Sequence, residues 1–510
     1  MSSTTNVEPS GPGMQAPPGG GQPPEFATVL GHPRPLWMLF MTEFWERFAF
    51  YGIRWALVLY IVAQFHAGSG TGEAPANSIY GAYLALVYAA AIFGGYVADK
   101  VIGYQRSILL GAVIMAAGLF MIAMPSEEIF KLGLATIIAG NGLFKPNIST
   151  MVGKLYTTAD PRRDSGFTIF YMGINLGAML SPILTCWLAA RVFGTEGMPD
   201  YKVVFITAGI GMLLSLLWFW FGRRQLEGIG RPMAGDENKL RVLYTLIGAV
   251  LAIPAIYFLL TIEAGTLNWW VLTPMFVALC VLIMAEGIRE GAVQRDRALA
   301  MLIIFVFNIL FWMFFEQAGS SFNFLAEKIV DRDFGGWIFP VGWFQSVNSL
   351  AIITVAPVLA WLWIRMGSAN PSIPRKFGLG LIFNGLAFLL LMFALSSLVD
   401  DFGKIPFWTL FMVYVIQSIG ELCLSPIGLS MVTKLAPLKL VGFGMGGWFL
   451  STGIGNNLSG IFASSVSGET GMTVASAHAG YTFGFWLLMG AGVLLFLIAP
   501  LIQRLMHGVK

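Results

Sequence analysis

The stretch EFWERFAFYGIRW, residues 43–55, decides the fold class of this chain. It lies inside a long apolar segment, yet it contains Glu43, Glu46, Arg47 and Arg54. A charge at the centre of a bilayer costs about 2.5 to 3.5 kcal/mol on insertion scales. Four charges in one apolar segment therefore need partners or water, and a helix buried in lipid alone would supply neither.

The spacing of these residues predicts that they share one face of a helix. At about 100° per residue, Glu43, Arg47 and Arg54 project within about 40° of one another, and Glu46 and Tyr51 flank them. A polar face on a membrane-spanning helix must turn towards an internal cavity. The stretch therefore predicts a transmembrane protein with a charged interior.

The composition of the whole chain indicates an integral membrane protein. Of the 510 residues, 56% are hydrophobic and only 11% are charged, which excludes an ordinary water-soluble domain. Apolar stretches of 18 residues or more recur along the chain, so a cleaved signal peptide does not explain them. We find no targeting segment. The three cysteines, Cys186, Cys280 and Cys423, all lie in apolar stretches, so we expect no disulfide framework, metal site or cofactor.

Fourteen apolar spans divide the chain into two sixes and a pair. Residues 1–35 are rich in Pro, Gly and Ser and are expected to form a disordered cytoplasmic tail. An N-terminal bundle (36–222), a linker with a transmembrane hairpin (223–297) and a C-terminal bundle (298–510) follow. The spans are predicted near 36–63, 78–98, 107–124, 130–153, 166–190, 203–222, 241–262, 269–288, 298–321, 338–365, 376–398, 406–433, 440–466 and 480–505.

The distribution of Lys and Arg predicts that both termini are cytoplasmic. Most of the 30 basic residues then lie on the cytoplasmic side, as the positive-inside rule requires. An even number of spans is consistent with this arrangement. The basic residues on the opposite side are Lys131, Arg191, Lys202, Lys328, Arg332 and Lys404.

The arrangement of six, two and six spans is typical of the major facilitator superfamily, in which two halves rock about a central site. The loop GGYVADKVIGYQR, residues 94–106, resembles the loop motif of that superfamily through Gly95, Asp99, Gly103 and Arg106. The alternative is an ordinary short cytoplasmic turn. The predicted fold is an all-α membrane protein with two six-helix bundles and an inserted two-helix hairpin.

Three further charges lie near the middle of other spans: Lys145, Glu316 and Glu421. With the charges of the first span they sum to minus one. We therefore expect one carboxylate to hold a proton in the empty cavity. Glu316 and Glu421 have no charged neighbour in their own spans, so their partners are expected from the N-terminal half. The alternative is that the charges only pair to hold helices together.

Several motifs in order resemble the proton-coupled oligopeptide transporter (POT) family. The first span resembles the pattern ExxERFxYYG through Glu43, Glu46, Arg47, Phe48, Tyr51 and Gly52, and it departs from the pattern at Phe50. FYMGINLG, residues 170–177, resembles FYxxINxG. The resemblance covers nearly all of 36–505. The other matching stretches are GLFKPNIS around Lys145, FWMFFEQAGSS around Glu316, QSVNS around Asn348 and GELCLSP around Glu421.

The resemblance implies roles for these residues. Proton coupling is assigned to Glu43, Glu46, Arg47, Lys145 and Glu316, with Glu316 paired to Arg54. Arg54 and Lys145 are implied to bind the C-terminal carboxylate of a peptide, and Glu421 its N-terminal ammonium. Asn175 and Asn348 are expected to bind the peptide backbone or to join helices. The residues expected to line side-chain pockets, or to serve packing alone, are Tyr51, Tyr88, Trp312 and Trp448.

One more position follows from the same comparison. Animal relatives carry a histidine in the second span, and the corresponding position here is Gly81, so coupling is expected to rest on carboxylates. Glu73 and Lys328, at the outer ends of two spans, are candidates for an extracellular gate pair.

The predicted function is import of di- and tripeptides together with protons, by a multi-pass protein of the cell (inner) membrane. The expected partners are small peptides, protons and the lipid bilayer, with no nucleic acid and a monomeric state. A first alternative is a proton symporter for nitrate or another small anion, which would have little use for Glu421. A second is a proton and drug antiporter. No constellation of nucleophile and base supports an enzyme, and a scaffold is the remaining class.

Overall fold

The computed structural model describes residues 23–157, 160–195, 198–232 and 237–509. Residues 1–22 of the expected tail lie outside the described residues. The rest of that tail is ordered, because β1 (Thr28–Val29) pairs in antiparallel register with β2 (His32–Pro33). The first helix begins at Arg34, where Pro35 suits the first helical turn because its missing amide hydrogen is not needed there.

All fourteen predicted spans are helices, which confirms the predicted fold class. Twelve of them are long and apolar enough to cross a membrane by length and composition. The N-terminal bundle contains α1 (Arg34–Phe65), α2 (Gly70–Ile102), α3 (Tyr104–Ile122), α4 (Glu127–Lys154), α5 (Arg163–Val192) and α6 (Tyr201–Leu226). The hairpin contains α7 (Lys239–Thr261) and α8 (Ala264–Glu290). The C-terminal bundle contains α9 (Ala292–Lys328), α10 (Val341–Ala369), α11 (Ile373–Ser397), α12 (Phe407–Leu435), α13 (Val441–Ser467) and α14 (Val474–Leu505).

The two helices that are less apolar, α4 and α13, lie against other helices rather than lipid. Their glycines allow backbones to approach closely, as small residues do in membrane bundles. A Cβ atom added at Gly94 of α2 would lie 1.7 Å from the carbonyl oxygen of Gly142 in α4. One added at Gly81 of α2 would lie 2.7 Å from the Cα atom of Gly460 in α13. The low hydropathy of α4 and α13 is therefore explained by their close packing against other helices of the protein.

Local capping explains where several helices begin. The side chain of Asp200 accepts a hydrogen bond from the amide of Lys202 at 3.1 Å and starts α6. Asn238 accepts from the amide of Leu240 at 2.9 Å and starts α7. Such caps satisfy amides that have no partner within the helix.

The hairpin bridges the two bundles. Helix α7 packs against α2 and α4 of the N-terminal bundle, whereas α8 packs against α9 and α13 of the C-terminal bundle. The amide of Asn457 in α13 also donates to the carbonyl oxygen of Ala264 at the start of α8, at 2.8 Å. Helix α7 is therefore attached to the N-terminal bundle and α8 mainly to the C-terminal bundle, although the start of α8, Ala264–Leu267, also contacts α2.

Two helices are interrupted near their middles. Regular helix in α1 stops at Gly52 and resumes at Leu57. In α9 it stops at Phe315, continues as a 3-10 turn at Glu316–Gly319 and resumes after Ser320. Irregular backbone at membrane depth is tolerated where it lines a cavity or is buried in protein. These interruptions carry Arg54 and Glu316.

Hydrogen bonds and an ion pair join the two bundles at the membrane end opposite the start of α1 and the end of α14, here called the outer end. They connect α2 with α9 and α13, and α5 with α10. The side-chain hydrogen bonds include Asn77 to Ser467 at 3.2 Å, Ser78 with Ser464 at 2.8 Å, Ser464 to the carbonyl of Ala74 at 2.7 Å, Ser346 to the carbonyl of Met179 at 2.7 Å and Trp343 to the carbonyl of Ile183 at 3.2 Å. The outer end is closed in this structure.

Candidate functional site

A buried ion pair connects the two bundles at the interrupted helices. Nη2 of Arg54 lies 2.7 Å from Oε2 of Glu316, and the two residues are 8% and 9% exposed. The Nε atom of Arg54 donates to the hydroxyl of Tyr80 at 3.1 Å. Removing one partner of a buried pair leaves an uncompensated charge, so each of these ions depends strongly on the other. The predicted pairing of Glu316 with the N-terminal half is present in the structure.

The other charges of α1 form a closed cluster inside the N-terminal bundle. Arg47 forms ion pairs with Glu46 and, at 3.5 Å, with Glu43. Asn141 of α4 donates to Glu46 at 3.2 Å. Glu43, Glu46 and Arg47 are at most 1% exposed. The expectation that the whole charged face of α1 looks into an open cavity is therefore wrong for these three residues, because they pair with one another and pack against α4.

Lys145 lies among aromatic rings, partly exposed. Its ammonium is 5.9 Å from the ring centre of Phe50 and 5.7 Å from that of Tyr88. The ring of Phe50 also lies 4.5 Å from the guanidinium of Arg47. Within the part of the chain that the structure describes, Lys145 has no carboxylate within 4 Å, so its positive charge is available to a ligand. Phe50, the departure from the family pattern, thus contacts two cations.

Glu421 is positioned by its own bundle. Asn348 of α10 donates hydrogen bonds to Oε2 of Glu421 at 3.1 Å and to the hydroxyl of Ser418 at 2.8 Å. The charges of Arg54 and Glu316 both act on the Glu421 carboxylate. The expected ion pair of Glu421 with the N-terminal half is absent among the described residues. A partly exposed carboxylate held by one amide can accept an ammonium group.

Tyr51 borders this arrangement, since its ring lies 5.7 Å from both Arg47 and Arg54. The remaining predicted pocket residues have partners of their own. Asn175 donates to the carbonyl of Tyr171 within α5 at 3.0 Å. Trp312 donates to Asn308 within α9 at 2.9 Å. Trp448 is 5% exposed and packs against aromatic rings of the C-terminal bundle, which is the placement of a packing residue.

Tyr80 and Asn141 also contact the charged residues, and sequence reasoning did not identify them. Tyr80 packs so closely on the interrupted part of α9 that a Cβ atom at Gly319 would lie 2.0 Å from its hydroxyl. It is next to Gly81, the position aligned with the histidine of animal relatives. The tyrosine next to that aligned position is the sequence signal that could have identified Tyr80. Among the residues that the structure describes, no group of three or more His, Cys, Asp or Glu could hold a metal ion.

The predicted outer pair also lies in contact. Lys328 of α9 forms an ion pair with Glu73 of α2, whose side chain is 1% exposed. Glu73 also accepts a hydrogen bond from the amide of Met472, between α13 and α14, at 2.7 Å. One carboxylate of the N-terminal bundle is therefore held by two groups of the C-terminal bundle.

Comparison with known proteins identifies the family. Residues 105–478 match the family described as PTR2, the POT family. The chain belongs to the POT family. It is thus a multi-pass membrane protein of a transporter family, and its fold is that of the major facilitator superfamily.

Three relatives cover almost the whole of this POT protein. Peptide transporter YePEPT of Yersinia enterocolitica subsp. palearctica serotype O:3 (strain YE-P4) is 35% identical to this chain. The alignment covers 95% of this chain and 97% of that relative. Dipeptide and tripeptide permease A of Yersinia pestis is 32% identical over 92% of this chain and 91% of its own. A crystal structure of a mutant of peptide transporter POT in complex with alafosfalin matches with a TM-score of 0.79, at 34% identity, over 94% of this chain and 97% of that one.

Proposed function

We propose that this protein is a proton-coupled symporter that imports di- and tripeptides across the cell (inner) membrane by alternating access, with both termini cytoplasmic and as a monomer. The observation that carries the proposal is the Arg54–Glu316 ion pair, which joins the two bundles at the interruptions of α1 and α9. The names of the relatives as peptide transporters support the substrate class.

The charges around the pair match a zwitterionic peptide. A dipeptide carries a carboxylate and an ammonium about 5 to 7 Å apart, as backbone geometry requires. Arg54 and Lys145 offer positive charge on the N-terminal bundle, and Glu421 offers negative charge on the C-terminal bundle. Because binding uses the termini of the peptide, side chains can vary. Asn348 keeps Glu421 in place, and Tyr51 and Tyr88 border the positive side.

Protonation of Glu316 is proposed to start the cycle. A neutral Glu316 would hold Arg54 less strongly, which frees the guanidinium for the peptide carboxylate. The cluster of Glu43, Glu46 and Arg47 would act through Lys145, since Glu43 and Glu46 lie within electrostatic reach of that ammonium. Release inside would follow the reverse order. In this proposed cycle, the closed outer end would belong to the state in which the site opens to the cytoplasm.

The proposal is tested by uptake of labelled dialanine into liposomes that contain the purified protein. With an inward proton gradient we expect accumulation above the external concentration, and no accumulation without the gradient. Excess unlabelled dialanine should compete, and nitrate should not. Competition by nitrate alone would indicate an anion carrier. Export of cationic hydrophobic compounds without stimulation by peptides would indicate a drug antiporter.

The Glu73–Lys328 ion pair is proposed to hold the outer end closed, and this role can be tested by the chemical reactivity of a native cysteine. Cys186 of α5 is 2% exposed, and it is covered by Gly342 at the start of α10. When the outer end opens, this buried thiol should become reactive. We expect Glu73→Gln, in a Cys280→Ser and Cys423→Ser background, to raise the rate of labelling of Cys186 by a membrane-impermeant maleimide by roughly three- to fivefold.

A matched control for this measurement is Glu127→Gln. Glu127 forms an ion pair with Lys131 at 2.8 Å on the same side of the membrane, but both residues lie in α4. This change should leave the labelling of Cys186 unchanged. Equal labelling of Cys186 in the Glu73→Gln variant and its parent would show that the pair does not hold the outer end closed.

A further inference from the structure

A cavity of about 670 Å³ lies away from the charged site, between the hairpin and the N-terminal bundle. Its walls are largely apolar side chains of α2, α4, α7 and α8, such as Leu86, Ile138, Ala252 and Met275. The hydroxyl of Thr245, in the same wall, already donates to a backbone carbonyl at 2.8 Å. The other side-chain hydroxyl among the lining residues belongs to Tyr244, which is 65% exposed. Water needs two or more polar partners in such a space, and these walls offer few of them. The chemistry of the cavity therefore selects hydrocarbon.

The end of this cavity nearest the termini carries charge. Val101 lines the cavity, and its neighbour Lys100 has a side chain that is 57% exposed. Helix α7 begins there with the exposed Lys239. Charged described residues near this end include Lys100, Arg106, Arg231, Lys239, Arg241, Asp99 and Glu237, in which positive charge exceeds negative charge. Asp99 pairs with Lys100 at 3.1 Å, and Arg106 donates to the backbone carbonyl of Glu237 at 3.0 Å.

We propose that the cavity binds an anionic phospholipid, with an acyl chain between the hairpin and the N-terminal bundle and the phosphate near Lys100 and Lys239. An apolar cavity between transmembrane helices that ends in basic residues has the chemistry of a lipid site. Its volume is within the range of about 300 to 1,000 Å³ that ligand cavities occupy. The two arms of the hairpin are attached mainly to different bundles, so the lipid fills a space between elements that belong to different halves of the transporter.

The acyl-chain part of the proposal can be tested at Gly248. This residue lines the cavity in α7, and a Cβ atom added there meets no heavy atom within 4 Å. Gly248→Leu therefore places its side chain in the cavity from a position where the added Cβ atom displaces no neighbour. Gly490 in α14 is the matched control, because a Cβ atom there also meets nothing within 4 Å and the position is exposed.

The headgroup part is tested by the double variant Lys100→Gln and Lys239→Gln. Its control is the double variant Lys439→Gln and Arg504→Gln, which removes two exposed charges from the same side of the membrane in the C-terminal bundle. Binding is measured by native mass spectrometry of the intact protein, titrated with phosphatidylglycerol or with phosphatidylcholine of the same acyl chains. Lipid binding is measured without any transport. A negative result in this experiment is therefore distinguishable from a failure of the proposed peptide symport.

We expect the parent protein to bind phosphatidylglycerol about tenfold more tightly than phosphatidylcholine. The Lys100 and Lys239 variant should lose this preference, and Gly248→Leu should weaken binding of both lipids, while both controls bind as the parent does. Equal binding of the two lipids by the parent, or equal losses in the variants and their controls, would overturn the proposal.

Discussion

Glu316→Gln is expected to abolish the proton-driven accumulation of dialanine and to leave exchange of dialanine across the membrane intact. Glutamine keeps the shape of the side chain but carries no charge, so it resembles the protonated state permanently. Arg54 then keeps its hydrogen bond to Tyr80 but loses the ion pair at 2.7 Å. One proton moving through 100 mV supplies about 2.3 kcal/mol, which corresponds to roughly 50-fold accumulation. We expect the variant to lose an accumulation of that size.

The measurement for Glu316→Gln has two arms. Accumulation is measured in liposomes with a proton gradient and membrane potential, and exchange is measured in liposomes preloaded with unlabelled dialanine. Glu286→Gln serves as the control, because Glu286 lies in α8 of the hairpin and its ion pairs, with Arg289 at 3.6 Å and Lys439 at 3.8 Å, do not involve the charged site. If the Glu316 variant still concentrated dialanine, the proton would be carried by another group.

Glu421→Gln is expected to remove recognition of the peptide's ammonium group. A hydrogen bond to a charged group contributes about 1.5 to 3 kcal/mol, so the KM for dialanine should rise roughly 10- to 150-fold. Asn348 can still hydrogen-bond the side-chain oxygen of the glutamine. The loss should therefore come from the missing charge rather than from a displaced side chain.

The control for Glu421→Gln is a change in the substrate. N-acetyl-dialanine has no ammonium group, so the parent protein should transport it poorly, and the variant should transport it no worse than the parent does. The two substrates are compared by their KM values in the same liposomes. A KM that rises by the same factor for both substrates would show that Glu421 does not contact the ammonium.

The transmembrane spans and the existence of a charged interior could be predicted from the amino-acid sequence. Apolar runs of sufficient length must be helices in a bilayer, because backbone groups have no other partners there. Glu316 and Glu421 stood out because a charge in the middle of a span is costly. The predicted pairing of Glu316 with Arg54 rested on the family resemblance and agrees with the structure.

Other contacts could not be read from the sequence. Helical spacing placed Glu43, Glu46 and Arg47 on the same face as Arg54. It did not show that the first three pair with one another or that Asn141 of α4 contacts Glu46. Glu421 was expected to pair with a charged residue of the N-terminal bundle. In the structure it accepts a hydrogen bond from Asn348 of its own bundle instead. Periodicity along one helix gives directions around that helix and says nothing about which neighbour packs on each face.

The amino-acid sequence by itself determined the number of helices, their membrane location and the residues whose charges need an explanation. Those properties depend on the local composition of each segment, which can be read directly from the sequence. Only the tertiary structure decided that Asn348 positions Glu421, that the outer end is closed, and that the hairpin joins both bundles. These contacts arise when distant helices pack, and packing depends on the shapes of several helices at once.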